Sequence, residues 1–342
     1  MKQPARLARR ALPPIAFAAG FALASAALVC LVPPIPVADG KLEWFREGGD
    51  RFDALFVGSS RTARQIVPSV FDAAMAEAGR RVRSFNLGLP GMWPPEDGFV
   101  IEQALSRRET PLRYLIVECN GLRLGIPPQG REMARAVYWH DVARLRALWR
   151  RAFAPPAASP ETPPSADALA QNLGALAGHA RPFLWNASRL GRGSELLREA
   201  LAPEGPARAA PSLGPAGDGY LPRRPRPTLA GAELDAYRRE LEAALRAGPR
   251  RTYGDAESQA ELRRKRALAE RHGARLVLVA PPVATTVFAP LPEAGIAFLD
   301  FSDPTLYPEL FAPEHRKDAG HLSDLGGELY SRLLARRIAA LP

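Results

Sequence analysis

The chain has 342 residues, 46% of them hydrophobic, enough for one large or two ordinary domains with a sizeable core. Its formal charge of +10 comes almost wholly from arginines scattered along helix-like segments, so nucleic acid is not an expected partner, while anionic envelope polymers and lipid head groups stay open. Two cysteines, one in an apolar run and one at a strand end, together with the lack of HxH or HxxxH spacing, argue against a disulfide framework and predict no metal and no cofactor.

Lys2, Arg6, Arg9 and Arg10 precede an unbroken run of apolar or small residues from Ile15 to Val32. As a helix this run spans roughly 27 Å, close to the hydrocarbon thickness of a bilayer. The basic flank predicts a cytoplasmic N-terminus, a single-pass transmembrane signal-anchor in the cell membrane, and a periplasmic or otherwise extracytoplasmic remainder. A cleaved signal peptide is the rival reading, with Ala24-Ser25-Ala26 as a small-residue site, but the apolar run continues past it. Pro33, Pro34 and Pro36 end the helix and begin a stalk. Residues 1–38 thus read as tip, anchor and stalk, and 39–342 as one domain.

Phe52 to Val57 has the pattern of a short buried strand that ends sharply in Gly58-Ser59-Ser60. Helical spacing from Thr62 to Ala78 follows, which sets Ser60 at a helix start with backbone N–H groups free to face negative charge. Further strands are expected at Val82–Asn86 and Tyr114–Cys119, with a helix at about Glu96–Arg107. This alternation predicts an α/β fold, a flavodoxin-like parallel sheet with helices on both faces, and function at the carboxyl ends of its strands.

The next strand of that quality is Arg275–Ala280, so residues of about 122–254 read as a large irregular and helical insertion. A helix near Arg131–Phe153 carries Tyr138, Val142, Leu145 and Trp149 on one stripe, expected to pack on the core. Ala154–Ser165 and Ala202–Pro227 are rich in Pro, Gly and Ala and are expected to be irregular and to add little to the core. Helices near Ala230–Ala247 and Asp255–Gly273 lead back to the sheet. A short strand at Ile296–Phe301 precedes Asp318-Ala319-Gly320-His321, and Ser323 reads as the N-cap of a last helix packed through Leu325, Leu329, Leu333 and Leu334. Among the other histidines, His315 is expected in an exposed loop.

Acyl transfer needs a hydroxyl, a base to activate it, an anion to orient the base, and donors for the oxyanion. Ser60, His321 and Asp318 supply the first three. The backbone N–H groups of Ser60 and Gly88 and the Asn120 side chain, each at a strand end, supply the fourth.

On these residues the chain resembles the SGNH (GDSL-type) hydrolase superfamily, and within it membrane-anchored envelope members related to alginate and teichoic-acid O-acylation proteins. Gly58-Ser59-Ser60 matches the first block, Asn86-Leu87-Gly88 the second, Asn120 the third, and Asp318 with His321 the last, DxxH block. Three positions depart from the pattern: Ser59 stands where the first block has aspartate, and Glu118 and Gly121 flank Asn120 in place of the third block's glycine and aspartate. The resemblance implies a serine esterase or O-acyltransferase acting on acyl esters of cell-envelope glycans through an acyl-serine intermediate. Its partners would be the envelope polysaccharide or another acyl-ester substrate, the membrane through the N-terminal helix, and a membrane acyltransferase. The alternatives are a catalytically inactive member that binds glycan or such an acyltransferase, and a lipid esterase, although the insertion is arginine- and proline-rich and not an apolar lid. For topology, a reporter fused after Pro342 should be active only outside the cytoplasm and the chain should keep its N-terminus in the membrane fraction; an N-terminus mapped beyond Ala26 contradicts the anchor.

Overall fold

The computed structural model describes residues 3–31, 40–126, 135–155, 164–188, 213–222 and 229–342. In chain order the first helices and strands are α1 (Gln3–Leu31), α2 (Lys41–Gly48), β1 (Ala54–Val57), α3 (Ser60–Gln65), α4 (Pro68–Glu77), β2 (Ser84–Asn86), α5 (Glu96–Leu105) and β3 (Tyr114–Glu118). The insertion contributes α6 (Arg135–Tyr138), α7 (Val142–Phe153), α8 (Ala166–Ala177), α9 (Ala180–Ser188), α10 (Gly231–Ala247) and β4 (Arg251–Thr252). The chain closes with α11 (Ala256–Arg271), β5 (Arg275–Ala280), β6 (Val287–Phe288), β7 (Ala297–Asp300), α12 (Pro308–Phe311), β8 (Arg316–Asp318), β9 (His321–Leu322) and α13 (Asp324–Ala339).

Five strands form the central parallel sheet in the order β2-β1-β3-β5-β7. Strand alternation divides the core into two layers. Leu55 and Val57 face a cluster with Phe45 of α2, Ile101 of α5 and Leu262 of α11. Ala54 and Phe56 face Phe71 and Met75 of α4 and Tyr330, Leu334 and Ile338 of α13. The order reverses between β1 and β3, one running to β2 and the other to β5, so a crevice opens at the carboxyl ends of these two strands.

Several expectations are corrected. The helix expected from Thr62 to Ala78 is broken at Ile66 and Val67, both extended, because a residue before proline is driven out of the helical region and Pro68 restarts the helix. Ser331 Oγ accepts the Val67 N–H released there, at 2.8 Å. The helix expected to run to Phe153 is likewise interrupted, since Asp141 caps α7 by accepting from Arg144 N–H. Val142 and Trp149 are exposed, and the buried side of α7 is Ala147, Leu148 and Ala152. Leu325 is also exposed, the anchoring residues of α13 being Tyr330, Leu334, Ala335 and Ile338.

In the proline-rich stretch of the insertion, residues 156–163, 202–212 and 223–227 lie outside the described residues. The part between, 213–222, is irregular but docked, contrary to the expectation that it adds little. Asn86 N–H donates to Asp218 O at 2.8 Å and Leu221 N–H to Ala63 O at 2.9 Å, which covers the open edge of β2. Elsewhere in the insertion, His140 and His179 are both buried and share a hydrogen bond of 2.9 Å, while His179 Nε2–H donates to Leu124 O at 2.6 Å. The Leu124 carbonyl can only accept, so His179 presents Nδ1 as the acceptor for His140. This chain ties the α6–α7 corner and the α8–α9 junction to the loop after β3.

Helix α1 passes through Pro13 and Pro14 and carries Ile15, Phe17 and Leu23 exposed. Among the described residues no helix is long and apolar enough to cross a membrane. The transmembrane expectation is therefore not shown by the fold.

Gly219 has φ +84, and a Cβ there would lie 2.1 Å from Asn86 O. Gly219→Ala should lower the melting temperature by about 5 °C or more, through a strained backbone and a lost hydrogen bond at a buried edge. An unchanged melting temperature would show that the segment is not docked.

Candidate active site

Ser60 is the first residue of α3, two residues beyond the glycine that ends the β1 turn. Gly58 has no room for a side chain, since a Cβ would lie 2.1 Å from Thr62 Oγ1 and 2.6 Å from Glu118 Cβ. Ser59 caps the helix by accepting from Arg61 N–H. It also binds Glu118, whose carboxylate accepts from Ser59 N–H at 2.7 Å, from Ser59 Oγ at 2.7 Å and from Thr62 Oγ1 at 3.2 Å. Ser59 and Glu118 thus meet in one buried hydrogen-bonded cluster. Sequence reading found both residues but not their contact, because that contact depends on the β1–β3 pairing.

The base and the acid come from a hairpin. β8 and β9 are antiparallel with Asp318 opposite His321, so a two-residue turn, Ala319-Gly320, makes residues three apart cross-strand neighbours. That is the physical content of the DxxH spacing. His321 Nδ1 lies 2.8 Å from Asp318 Oδ1, which also accepts from Gly320 N–H at 2.9 Å. A carboxylate can only accept, so Nδ1 carries the proton and Nε2 is left as an acceptor. Nε2 lies 2.9 Å from Ser60 Oγ. Ser60, His321 and Asp318 are thus brought into one hydrogen-bonded line, with the serine hydroxyl aimed at a basic nitrogen.

The hairpin is held by Arg316, fully buried, which sequence reading passed over as one arginine among many. Its guanidinium donates to Pro282 O at 2.9 Å and Ala319 O at 2.5 Å and lies over Tyr237 and Phe311. It fastens the carbonyl of the Asp318–His321 turn to the loop after β5. Burial depresses its pKa, opposed by the nearby Tyr237 and Asp318. His315 is half-buried and not exposed: its Nδ1–H donates to Glu309 O, and it takes no part in the line.

The expected oxyanion donors divide. β1 and β3 pair in register with Val57 beside Val117, so Ser60 and Asn120 lie equally far beyond the paired strands. The Ser60 N–H and the half-buried Asn120 side chain make no hydrogen bond to a described residue. Gly88 runs beside β1, with Leu89 N–H donating to Gly58 O, but its own N–H donates to Asn86 Oδ1 at 2.9 Å. The fully buried Asn86 donates in turn to Thr62 O and Ile66 O, both at 2.7 Å, so it locks the α3 turn and occupies the Gly88 donor. Gly88 is required sterically, a Cβ there lying 2.4 Å from Ala63 N, and Lys41 Nζ–H donates to its carbonyl. Its N–H is thus engaged with Asn86, and the glycine itself is demanded by packing. Two of the expected donors, the Ser60 N–H and the Asn120 amide, are left without a hydrogen bond to a described residue.

Among the described residues no group of three or more His, Cys, Asp or Glu could hold a metal ion. No protein-family model matches the chain, and no curated protein matches it.

Such a line can pass the Ser60 proton to His321 as an electrophile arrives, and Asp318 stabilises the imidazolium that forms. With a fluorophosphonate probe, Ser60→Ala should abolish labelling and His321→Ala should cut its rate by about 10³-fold or more. Ser59→Ala should leave labelling mostly intact while costing about 2 kcal/mol or more of stability, through the lost cap and the lost donor to the buried Glu118 carboxylate. Labelling of Ser60→Ala at the wild-type rate would reject the assignment.

Proposed function

We propose that the chain is a serine esterase or O-acyltransferase of the SGNH type, held outside the cytoplasmic membrane by α1, acting on acyl esters of cell-envelope glycans. The observation that carries this reading is the Ser60–His321–Asp318 line at the carboxyl edge of a parallel sheet. Ser60 Oγ attacks the acyl carbonyl while His321 Nε2 takes its proton, and the oxyanion turns to Ser60 N–H and Asn120. His321 then gives that proton to the departing alcohol oxygen, leaving acyl-Ser60. A second hydroxyl, of water or of a sugar, loses its proton to His321 and attacks the acyl carbon, which restores Ser60.

The strand order and its switch point support the SGNH resemblance, and so does the spacing of the Asp318–His321 hairpin. Membrane anchoring rests on the basic flank, the apolar run Ile15–Val32 and the exposed Ile15, Phe17 and Leu23. An anchored site lies beside nascent polymer and any acyl-donating membrane partner. That favours transfer, which needs an acceptor held in place and water kept out. The insertion follows Asn120 directly, so it can build the acceptor's wall.

One observation favours a second reading, an inactive SGNH-like protein that binds glycan or a membrane acyltransferase: the Gly88 N–H is committed to Asn86, leaving two oxyanion donors. Assay of the purified chain with an activated acyl ester and envelope oligosaccharides separates the readings. Transfer predicts acylated sugar formed at the expense of free acid as acceptor rises, both lost in Ser60→Ala. Free acid alone, indifferent to every acceptor, leaves the esterase; a folded chain inert to every ester and to the probe supports the binding protein.

A further inference from the structure

Helix α7 carries an amphipathic stripe that the core does not use. Val142, Arg146, Trp149 and Phe153 recur at helical spacing, all four are exposed, and Trp149 packs on Phe153 with ring centroids 5.0 Å apart. Beside this stripe, Arg146 and Arg150 line a cavity of about 410 Å³ between α5, α7 and α11, with Arg264 and Arg271 on its α11 wall. Arg264 is spent on Glu257 and Glu261, and Arg144 on Glu102 and Asp141. Arg150 reaches Glu257 only at 4.0 Å, and the side chains of Arg146 and Arg271 make no hydrogen bond or ion pair with a described residue.

The same part of the insertion is joined to α1, because α9 packs against both α1 and α6. Asn186 of α9 donates to Tyr138 O at 3.2 Å and to His140 O at 3.1 Å, and the His140–His179 hydrogen bond closes the same corner. α9 and the start of α7 are thus one rigid piece. On α9, Arg181, Leu184 and Trp185 are exposed, with the Arg181 guanidinium 4.1 Å from the centroid of the Trp185 ring. Across α7, α8 and α9 the charged residues are Arg144, Arg146, Arg150, Arg151 and Arg181 against a single acid, Asp167.

Tryptophan beside arginine suits a bilayer interface, the ring lying at the headgroup level and the guanidinium on lipid phosphate. The near absence of acid fits a surface of uniform negative charge better than a protein face, which carries both signs. We propose that α7 and α9 form a docking face by which the insertion lies on an anionic phospholipid surface, with Trp149 and Trp185 at the headgroup level and Arg146 and Arg150 on lipid phosphates. This extends the anchored reading above, since α1 brings the face to the bilayer, and it is independent of the acyl-Ser60 chemistry. A domain held both by α1 and by this face keeps one orientation over the membrane.

The test places the full chain in vesicles of phosphatidylcholine, alone or with about one third phosphatidylglycerol, whose acyl chains carry bromine near the headgroup, and reads quenching of tryptophan fluorescence. Quenching should be present with phosphatidylglycerol and weak without it. Trp149→Phe should remove about half of it, the rest being the share of Trp185. Each of Arg146→Gln and Arg150→Gln should lower the ratio of docked to free faces about fivefold, whereas Arg336→Gln, exposed on α13 across the sheet, should leave it unchanged. Quenching that Trp149→Phe does not reduce, or that is equal without phosphatidylglycerol, overturns the face. So does a Trp149-dependent self-association in the same vesicles, which assigns the stripe to a second copy. The anchor is judged separately, by whether the chain stays on the vesicles in about 1 M salt, which screens surface charge. Retention without Trp149 quenching leaves the anchor and removes the face; quenching at low salt with release at high salt keeps the face and removes the anchor.

Discussion

The Glu118 carboxylate is buried at the end of β3 and takes hydrogen bonds from Ser59 N–H, Ser59 Oγ and Thr62 Oγ1, with Arg61 at 3.5 Å. Removing a carboxylate from water costs several kcal/mol, and hydrogen bonds to a charged group return about 1.5–3 kcal/mol each. Three such donors and a cation are enough to offset the cost, but only if the β1 turn is in one conformation. That requirement excludes a side chain at Gly58 and sets the first turn of α3. Ser60 begins that turn, with its hydroxyl at 2.9 Å from His321 Nε2. Asn86 acts from the other side, holding the Thr62 and Ile66 carbonyls of the same turn.

The partner of this turn arrives from the far end of the chain. Ser60 and His321 are 261 residues apart in sequence, so their hydrogen bond exists only once the sheet is assembled and α13 is packed against α4. Ser331 of α13 reaches Val67, and the buried Arg316 fastens the hairpin turn to the loop after β5. The local geometry of the hairpin needs less: two turn residues between paired positions suffice to bring Asp318 to His321. The candidate site is thus a rigid turn and a rigid hairpin, each fixed by a buried charged side chain, meeting at the switch point of the sheet.

Much of this was legible in the sequence because it depends on local patterns. Short strand-like runs ending in small or polar residues marked β1, β2 and β3, the apolar run Arg275–Ala280 marked β5, and Asp318-Ala319-Gly320-His321 before a capped helix marked the hairpin. What escaped depends on partners far away in sequence. Gly88 looked like a free donor until Asn86 folded back onto it, and Arg316 carries no local signal of the Pro282 and Ala319 carbonyls and the Tyr237 and Phe311 rings that enclose it. Residues 213–222 have no periodicity to show, yet they complete a sheet edge through backbone groups that any sequence carries. The break at Ile66 was readable from Pro68 and was overridden by the apolar stripe of the flanking residues. Val142, Trp149 and Leu325 obeyed helical spacing and still face outward, because a stripe says which residues share a face and not whether another element covers it.

The central claim is that Ser60 is a nucleophile whose tetrahedral adduct is received by Ser60 N–H and Asn120. The most direct measurement is a crystal structure of the protein after reaction with a fluorophosphonate, whose phosphoryl oxygen stands where the oxyanion would. The account predicts phosphorus bonded to Ser60 Oγ, that oxygen about 2.7–3.1 Å from Ser60 N and Asn120 Nδ2, and Gly88 N still bound to Asn86. A phosphoryl oxygen turned to solvent, or a probe attached to any other residue, would contradict it.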